Sequence, residues 1–297
     1  MSSNPSTGGL SQLTDTPSTY PFRLVPADTF TIEQLTAAYN QTRVDYMVPM
    51  PMNAARLAEY IHVYDVDIGQ SVVAVDGEQI LGLGMLGVRP DHVWVTRLGV
   101  LPVRRRRGVG EAILLYLLAA AERNGVSLIT LEVIKDNFPA YNLFIKWGFQ
   151  ETRELIILRR PPGPSASVPA GEFRWLEREE ALQLAGTRPF PLSWINDTPS
   201  LANADHVMGL DVTLPGVHRG WLAFQEQKFI LARLTFRTLE GDPKAVGQAL
   251  LAYLYQRYPA IDTNVENVAI ANPHLPAFLE AGFVESFRRI EMYRQLS

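Results

Sequence analysis

Cysteine is absent from this 297-residue chain, which excludes disulfide bridges, thiolate metal ligands and a cysteine nucleophile. No stretch of apolar residues approaches the roughly 18 that a membrane-spanning helix requires. Basic residues are not in excess either, because 27 Lys and Arg stand against 31 Asp and Glu and give a formal net charge of -4. A dedicated nucleic-acid binder carries a basic footprint, so that class of protein is disfavoured.

Hydrophobic residues make up 47% and charged residues 20% of the chain, which is typical of a packed, soluble protein. At about 150 residues per domain, this length predicts two domains. The Pro-rich stretch 161–170 is the best candidate linker, so we expect one domain over 20–160 and a second over 171–297. Residues 1–19 are rich in Ser, Thr, Pro and Gly without the pattern of a signal peptide, which predicts a disordered tail and a cytoplasmic protein.

The first half shows the pattern of a mixed sheet covered by helices. Three apolar stretches are separated by two turn signals, one at Asp76 and Gly77 and one around Pro90, so they predict an antiparallel meander. Two helices, each followed by a strand, come next, and the fold class is therefore α/β (α+β) with a mostly antiparallel sheet. The predicted strands are 20–25, 71–75, 80–88, 93–101, 127–134 and 151–158, and the predicted helices are 32–39, 53–63, 111–124 and 137–147.

The second half repeats landmarks of the first. Helix residues 110–117 align with 247–254 at a shift of 137 positions (247 minus 110). At almost the same spacing Asn137 corresponds to Asn272, and the Gly-Phe pair at 148–149 corresponds to the one at 282–283. Three landmarks in one order predict a tandem repeat of one fold.

The segment 105–110, Arg-Arg-Arg-Gly-Val-Gly, lies between a predicted strand and a predicted helix. Backbone N–H groups at a helix start have no partner within the helix, and the helix dipole adds partial positive charge there. Gly108 and Gly110 leave room for a phosphate to approach those amides, and the arginines add charge-assisted contacts. The patterns of dinucleotide and P-loop sites are missing. The segment indicates either a phosphate-binding loop or a solvated basic run with incidental glycines.

The surroundings of this segment resemble the GNAT family, the Gcn5-related N-acetyltransferases. The resemblance covers roughly 22–158 and rests on Arg-x-x-Gly-x-Gly at 105–110, on Asn137-x-x-Ala140 and on the Gly-Phe pair at 148–149. It implies acetyl-CoA as co-substrate and no metal, with the pyrophosphate on 105–110 and the pantetheine arm along the preceding strand. It also implies that this strand and 127–134 splay apart. The cofactor-binding residues implied are Leu98, Gly99, Val100, Arg105, Arg106, Arg107, Gly108, Val109, Gly110, Asn137 and Phe144. Asn137 would touch the pantetheine arm, cap the following helix, or do both.

Acetyl transfer needs a base for the amine and an acid for the departing thiolate. Glu132 matches the base of some branches of the family, and its other reading is a structural polar position on a strand. The family's usual acid is a Tyr seven residues after the Asn, where this chain has Phe144. Tyr141 lies on nearly the same helix face and is the nearest replacement, although packing is the commoner role of an aromatic residue on an amphipathic helix. Four further polar residues are candidates for substrate recognition only: Asp45, Tyr46, His62 and Asp91.

The second copy departs from the phosphate-binding pattern. When 242–247 is laid on 105–110, Asp242 replaces the first Arg and Ala245 replaces the first Gly. An acid would repel pyrophosphate and a methyl group would hinder its approach to the amides. We therefore expect the second copy to bind no CoA and to complete the acceptor pocket or supply an interface.

The leading prediction is an acetyl-CoA-dependent N-acetyltransferase in which a primary amine attacks the thioester directly while backbone N–H groups polarise the carbonyl. The acceptor is a small-molecule or peptide amine that the sequence does not specify. We expect a monomer or homodimer with neither a nucleic-acid nor a membrane partner. The alternative is a non-catalytic acyl-CoA-binding or regulatory protein, which Phe144 and the degenerate second copy favour.

Overall fold

The computed structural model describes residues 20–188 and 192–296, so the tail predicted at 1–19 lies outside the described residues. Every strand of this part belongs to one sheet of 12 strands. The two halves show the same order of elements: a strand, two helices, three strands, a helix, a strand, a helix and a last strand. This order confirms the predicted α/β class and the tandem arrangement.

Most elements of the first half lie close to their predicted positions, but the second strand begins at Val66, five residues before the predicted range 71–75. The strands are β1 (Arg23–Pro26), β2 (Val66–Asp76), β3 (Gln79–Val88), β4 (Val93–Val100), β5 (Leu128–Ile134) and β6 (Gln150–Arg160). The helices are α1 (Ile32–Gln41), α2 (Ala54–Val63), α3 (Val109–Arg123) and α4 (Phe138–Lys146). Local signals set several of these bounds. Thr31 and Gln34 form a capping box that starts α1, Asn53 caps α2, and Gly77 takes a left-handed φ of 58° in the turn between β2 and β3.

The second half repeats this order with shorter early helices. Its strands are β7 (Glu172–Leu176), β8 (Val207–Leu214), β9 (His218–Gln227), β10 (Ile230–Glu240), β11 (Asp262–Ala269) and β12 (Val284–Gln295). Its helices are α5 (Arg178–Ala185), α6 (Thr198–Asn203), α7 (Pro243–Arg257) and α8 (Leu275–Glu280). Within residues 20–188 and 192–296 no helix has the length and apolar character needed to cross a membrane.

The two halves exchange their last strands. β12, at the end of the chain, lies between β5 and β6, and β6 in turn lies between β12 and β11. The pairing of β12 with β5 runs from Arg289 opposite Ile134 to Gln295 opposite Leu128, and the other edge of β12 pairs with β6. The sheet is therefore continuous past the predicted linker at 161–170, and the division into domains at 20–160 and 171–297 stays a prediction.

Three apolar cores cover the sheet, and one of them is shared by the halves. Helices α1, α2, α5 and α6 pack into this shared core, whereas α3 and α4 bury the second core and α7 and α8 the third. Trp194 of the second half joins the halves: its ring stacks on Trp94 and its Nε1 donates to the Tyr64 carbonyl. A Cβ on Gly87 would lie 2.8 Å from the Trp194 ring, so this contact requires glycine.

β4 and β5 are parallel neighbours that separate partway along their length. Their pairing covers only Val93 to Val95 against Ile129 to Leu131, although both strands continue beyond these residues. The backbone of β4 also bulges at Arg97, whose φ is 52°. The two strands thus splay apart at the centre of the sheet, as the resemblance led us to expect.

Candidate active site

A cavity of about 1210 Å³ opens where β4 and β5 separate. At one end its wall includes Gly108 and Gly110 at the start of α3. At the other end its wall includes Gln225, Arg233 and Glu266 from β9, β10 and β11 of the second half. Both halves of the chain therefore build one cavity.

Most of the residues expected to contact the cofactor line this cavity: Leu98, Gly99, Val100, Arg105, Arg106, Gly108, Gly110, Asn137 and Phe144. Val109 and Arg107 are not in its wall: Val109 is buried in the core under α3, and Arg107 is an exposed residue outside the lining. Asp45 and Tyr46 also line the cavity, whereas His62 and Asp91 do not.

The loop before α3 leaves the start of that helix open. Gly108 is the N-cap residue, with a φ of 80° that favours glycine, and no side chain caps the helix. Arg105 forms an ion pair with Asp45 at 2.7 Å, and this contact holds the pKa of the Asp45 carboxyl below its usual range. Arg106 and Arg107 form no ion pair in the described part of the chain. The loop therefore presents uncapped amides and two uncommitted guanidinium groups.

The second half has no counterpart of this loop. Only Gly241 and Asp242 separate β10 from α7, whereas residues 101–108 separate β4 from α3. Asp242 is the N-cap of α7, so it corresponds to Gly108 and not, as the sequence alignment has it, to Arg105. Its carboxylate accepts from the N–H groups of Lys244 and Ala245, both at 3.2 Å. The start of α7 is thus occupied by the chain's own carboxylate.

Two arginines cover the edge of β4 where the pantetheine arm is expected. Arg43 Nη2 donates to the Leu98 carbonyl at 3.3 Å, and Arg105 Nε donates to the Val100 carbonyl at 3.2 Å. A Cβ on Gly99 would lie 2.5 Å from Thr42 Oγ1. Gly99 is therefore required for the close approach of this strand to the end of α1.

Asn137 has the capping role that its position predicts. Its Oδ1 accepts from the Ala140 N–H at 3.4 Å at the start of α4. Its Nδ2 donates to the Tyr46 hydroxyl at 3.4 Å, so the side chain also joins α4 to the segment between α1 and α2. Because both residues line the cavity, this contact places a phenol hydroxyl beside the expected path of the pantetheine arm.

Tyr141 does not reach the cavity. Its ring packs at the edge of the core under α4, and its hydroxyl donates to Glu151 at 2.6 Å, a hydrogen bond that raises the pKa of the phenol. Phe144, by contrast, lines the cavity and packs edge to face on Phe149. The expectation that Tyr141 stands in for the family's tyrosine is therefore not supported by its placement.

Glu132 lies in the cavity wall on β5, with both carboxylate oxygens hydrogen-bonded. Trp94 Nε1 donates to one oxygen at 2.7 Å and Asn267 Nδ2 donates to the other at 3.0 Å. Burial raises the pKa of Glu132 to about 7, and although Arg289 opposes this shift, the carboxylate of Glu291 reinforces it. A carboxyl group that titrates near neutral pH is suited to accept a proton from an amine.

Glu266 of β11 lies in the same cavity but in a different charge environment. Arg289 Nη2 forms an ion pair with it at 2.9 Å. Burial opposes ionisation of this group, but Arg289 and Arg97 outweigh burial and hold its pKa below the usual range. Glu266 is therefore ionised and neutralised, whereas Glu132 stays close to its titration point.

Sequence reasoning did not identify Arg97 and Arg233, which both line the cavity. Each lies in a strand where the backbone bulges, with a φ of 52° for Arg97 and 57° for Arg233. For Arg97 the sequence offered a signal, since it is the one charged residue of β4; β10 also contains Arg237 and Glu240, so Arg233 had no such signal. A group of three or more His, Asp or Glu side chains able to hold a metal is absent from the described residues.

The model of the Acetyltransferase (GNAT) family matches residues 35–149. No curated protein matches the chain. Similar solved structures include a putative acetyltransferase from Pyrococcus horikoshii, with 13% identity and a TM-score of 0.64 over 98% of this chain and 94% of that one. A GCN5-related N-acetyltransferase from Sphaerobacter thermophilus has 18% identity and a TM-score of 0.66 over 93% and 96%. A tandem GNAT protein from the clavulanic acid biosynthesis pathway has 14% identity and a TM-score of 0.64 over 92% and 98%.

These structural similarities extend over nearly the whole chain and show that the fold of both halves is shared with these proteins. GNAT enzymes in general use acetyl-CoA as co-substrate. Residues 35–149 are thus similar to the GNAT family of acetyltransferases, which are acyltransferases, and the second half repeats the fold without a counterpart of the loop 101–108.

Proposed function

We propose that this protein transfers the acetyl group of acetyl-CoA to a primary amine by direct attack of the amine on the thioester. The observation that supports this most strongly is a single cavity joining the uncapped start of α3 to the carboxylate of Glu132. One end suits a diphosphate, and the other end holds a group that can take a proton.

The start of α3 fits the diphosphate of CoA. The first amides of the helix are free of a side-chain cap, and Gly108 and Gly110 leave the approach to them open. Arg106 supplies an uncommitted positive charge in the cavity wall, and exposed Arg107 lies next to it in the same loop. Arg105 is already paired with Asp45, so its role in this proposal is to hold the loop in place.

Glu132 acts as the base. In its ionised form the carboxylate takes a proton from the acceptor ammonium, directly or through water, and the neutral amine nitrogen then attacks the thioester carbonyl carbon. The new C–N bond forms, the C–S bond breaks, and the electron pair of that bond leaves with the sulfur. A base with a pKa of about 7 is ionised in a large fraction of molecules at neutral pH.

Tyr46, and not Tyr141, donates the proton that the departing thiolate needs. Its hydroxyl lies in the cavity wall beside Asn137, whereas the Tyr141 hydroxyl is bonded to Glu151 outside that wall. Two other phenols in the cavity are committed, because the Tyr60 hydroxyl is bonded to Thr96 and the Tyr64 hydroxyl accepts from Arg233. After the C–N bond has formed, the nitrogen gives its second proton to the Tyr46 phenolate, directly or through water, which restores the phenol. Glu132 releases its proton to solvent and is again a carboxylate.

Release of CoA thiol tests the proposal. Purified protein is mixed with acetyl-CoA and a broad panel of primary amines, and the thiol is detected with a chromogenic reagent, to which this cysteine-free chain adds no background. We expect amine-dependent release whose rate rises with pH through about 7, as Glu132 ionises. Tight CoA binding without release for any amine would instead favour the non-catalytic acyl-CoA-binding protein.

Three variants assign the proton transfers. Glu132→Gln should lower turnover roughly 100-fold with little effect on CoA affinity, since general acid–base catalysis contributes about 10²- to 10⁴-fold. Tyr46→Phe should lower turnover, and Tyr141→Phe is its matched control with turnover unchanged. If Tyr141→Phe slows the reaction and Tyr46→Phe does not, Tyr141 is the acid, as its helical position predicted, and the assignment of Tyr46 is wrong.

A further inference from the structure

The end of the cavity away from α3 contains two guanidinium groups on equivalent strands. Arg97 is at the bulge of β4 in the first half, and Arg233 is at the bulge of β10 in the second. Both line the cavity, so the two bulges direct one arginine from each half toward the same space.

Neither arginine has a carboxylate partner among the residues that the structure describes. The Arg97 guanidinium lies 4.1 Å from the centre of the Tyr60 ring, its Nη1 donates to the Tyr39 hydroxyl at 3.1 Å, and its buried Nε has no hydrogen-bond partner. Arg233 donates to the Tyr64 hydroxyl at 2.6 Å and to Gln225 Oε1 at 3.0 Å. The hydrogen bonds of both cations therefore go to neutral groups.

Glu266 is the carboxylate that acts on both arginines: Arg289, Arg97 and Arg233 all lower its pKa, so its single negative charge offsets only part of three positive charges. Glu266 is engaged by Arg289 at 2.9 Å. Both oxygens of Glu132 accept hydrogen bonds from the neutral donors Trp94 and Asn267. A charged group in a partly desolvated site is costly unless an opposite charge meets it, so this end of the cavity favours an anionic ligand.

The positions of Arg97 and Glu132 fit a single ligand that carries a different chemical group at each end. Arg97 lies on the Tyr60 ring, the Tyr60 and Trp94 rings are 6.2 Å apart between centres, and Trp94 is bonded to Glu132. The guanidinium and the carboxylate thus flank the same aromatic pair. A ligand along that pair would meet a cation at one end and a proton acceptor at the other.

We propose that the acceptor is an aminocarboxylate, whose carboxylate is bound by Arg97 together with Arg233 while its amino group faces Glu132. A guanidinium group can bind a carboxylate through two parallel hydrogen bonds, which also fixes the orientation of the ligand. This inference rests on the proposed acetyl transfer and narrows its acceptor class.

The test compares matched acceptors. Linear aminocarboxylates with two to six carbon atoms are assayed beside their primary carboxamides, which keep the amine and the length but carry no negative charge. The wild type should prefer the acids by at least about tenfold in kcat/KM, mainly through KM, as expected for about 1.4 kcal/mol of binding energy. Equal kcat/KM for acids and amides would overturn the inference while leaving acetyl transfer intact.

Arg97→Gln should remove the preference for the acids, because kcat/KM for the acids falls at least about tenfold more than kcat/KM for the amides. Arg97→Lys should keep part of it, because the charge remains and the planar fork is lost. Arg123→Gln, which removes an exposed charge at the end of α3, is the control and should keep the full preference. Unchanged thermal melting and CoA affinity show that the Arg97 variants are folded. An Arg97→Gln variant that slows acids and amides equally would contradict the carboxylate contact.

Binding provides a readout that does not depend on turnover. In the presence of saturating CoA, calorimetric titration should show tighter binding of the acids than of the amides by the wild type and equal binding by Arg97→Gln. If no amine is acetylated but this difference in affinity appears, the proposed function fails and the anion site stands. If the acids bind no better than the amides, the anion site fails.

Discussion

The two halves of this protein have the same fold but differ at the start of one pair of corresponding helices, α3 in the first half and α7 in the second. The first helix turn of α3 follows a long loop that ends in Gly108 and carries no side-chain cap. The first turn of α7 follows β10 almost directly and is capped by Asp242. A helix start in this position of the fold is therefore not sufficient for binding an anion, because the loop before it and the N-cap residue decide whether its amides are available.

A second difference lies at the centre of the sheet. Glu132 on β5 and Glu266 on β11 face one cavity, yet neutral donors surround the first and Arg289 pairs with the second. The environment thus pushes the two pKa values in opposite directions. Pairs of carboxyl groups separated in this way are typical of sites where one group transfers protons and the other stays charged.

The largest effect is expected from removing the strand that joins the halves. Deletion of residues 284–297 removes β12, which pairs with both β5 and β6. We expect cooperative unfolding and CoA binding by the first half to be lost together, because two neighbouring strands at the centre of the sheet lose their partner. Circular dichroism melts and CoA titration measure both. Deletion of residues 1–19 is the control, and a β12 deletion that binds CoA normally would show that the first half folds independently.

The position of β12 between β5 and β6 is a feature of the fold that sequence patterns could not predict. Periodicity and turn residues located nearly every element of the first half, and β3 differs from its predicted range 80–88 by one residue at its start. Strand pairing is a long-range property: Ile290 lies opposite Val133, and no local pattern in either segment specifies the other. The sequence predicted the elements and their order but not the order of strands in the sheet.

The candidate site also has one part that the sequence predicted and another part that it did not. The loop 105–110 was predictable because its chemistry lies within one short segment. Tyr46 was a candidate for substrate recognition, but its place beside Asn137 was not predicted. Arg97 and Arg233 were not identified, because a bulge in each of two distant strands places them in the cavity. Tyr141 was assigned by helical spacing alone, but the inward face of α4 carries Phe144 and leaves the Tyr141 hydroxyl outside. Spacing along a helix predicts which side chains share a face, whereas the packing of the helix decides which face lines the cavity.

The next largest effect should come from giving the first half the cap of the second. Gly108→Asp places a carboxylate at the open start of α3, where it would satisfy the amides and repel the CoA diphosphate. We expect CoA affinity to fall on the order of 100-fold, since like charges about 4 Å apart near a protein surface repel by several kcal/mol. Calorimetric titration with CoA measures the loss.

Gly108→Asn is the matched control for this change. Asparagine tolerates the left-handed backbone of Gly108 about as well as aspartate does and has nearly the same shape, but it carries no charge. It should lose much less affinity than Gly108→Asp. Equal losses would mean that backbone strain or bulk, and not charge, is responsible, and the comparison with Asp242 would lose its electrostatic basis.

The two buried glutamates should give stability profiles of opposite sign. Glu132 has a folded pKa of about 7, raised from 4.5, so the folded state holds a proton that the unfolded state releases between these values. Its contribution is present below about pH 4.5 and is lost as the pH rises through 7. Relative to Glu132→Gln, the wild type should lose on the order of 3 kcal/mol across this window, at about 1.4 kcal/mol per pKa unit.

Glu266→Gln is the counterpart of that experiment. Because the folded pKa of Glu266 is lowered, its ion pair with Arg289 stabilises the fold above the unfolded value and is lost as the pH falls through the folded one. The variant should therefore be less stable than the wild type at pH 7 and approach it in acid. Urea unfolding from pH 4 to pH 8 measures both variants, and parallel profiles would contradict the opposite environments that we assign.

The smallest effect is expected from opening the second helix start. Asp242→Ala removes the acceptor for the N–H groups of Lys244 and Ala245 and should cost about 1 kcal/mol of stability, the usual contribution of an N-cap. CoA should still bind at one site per chain, because α7 has no loop and no arginine cluster before it and Pro243 supplies no N–H donor. Urea unfolding and the stoichiometry of CoA titration measure the two quantities. A second equivalent of bound CoA would show that the carboxylate alone separates the two helix starts, and the loop 101–108 would then have no part in the difference.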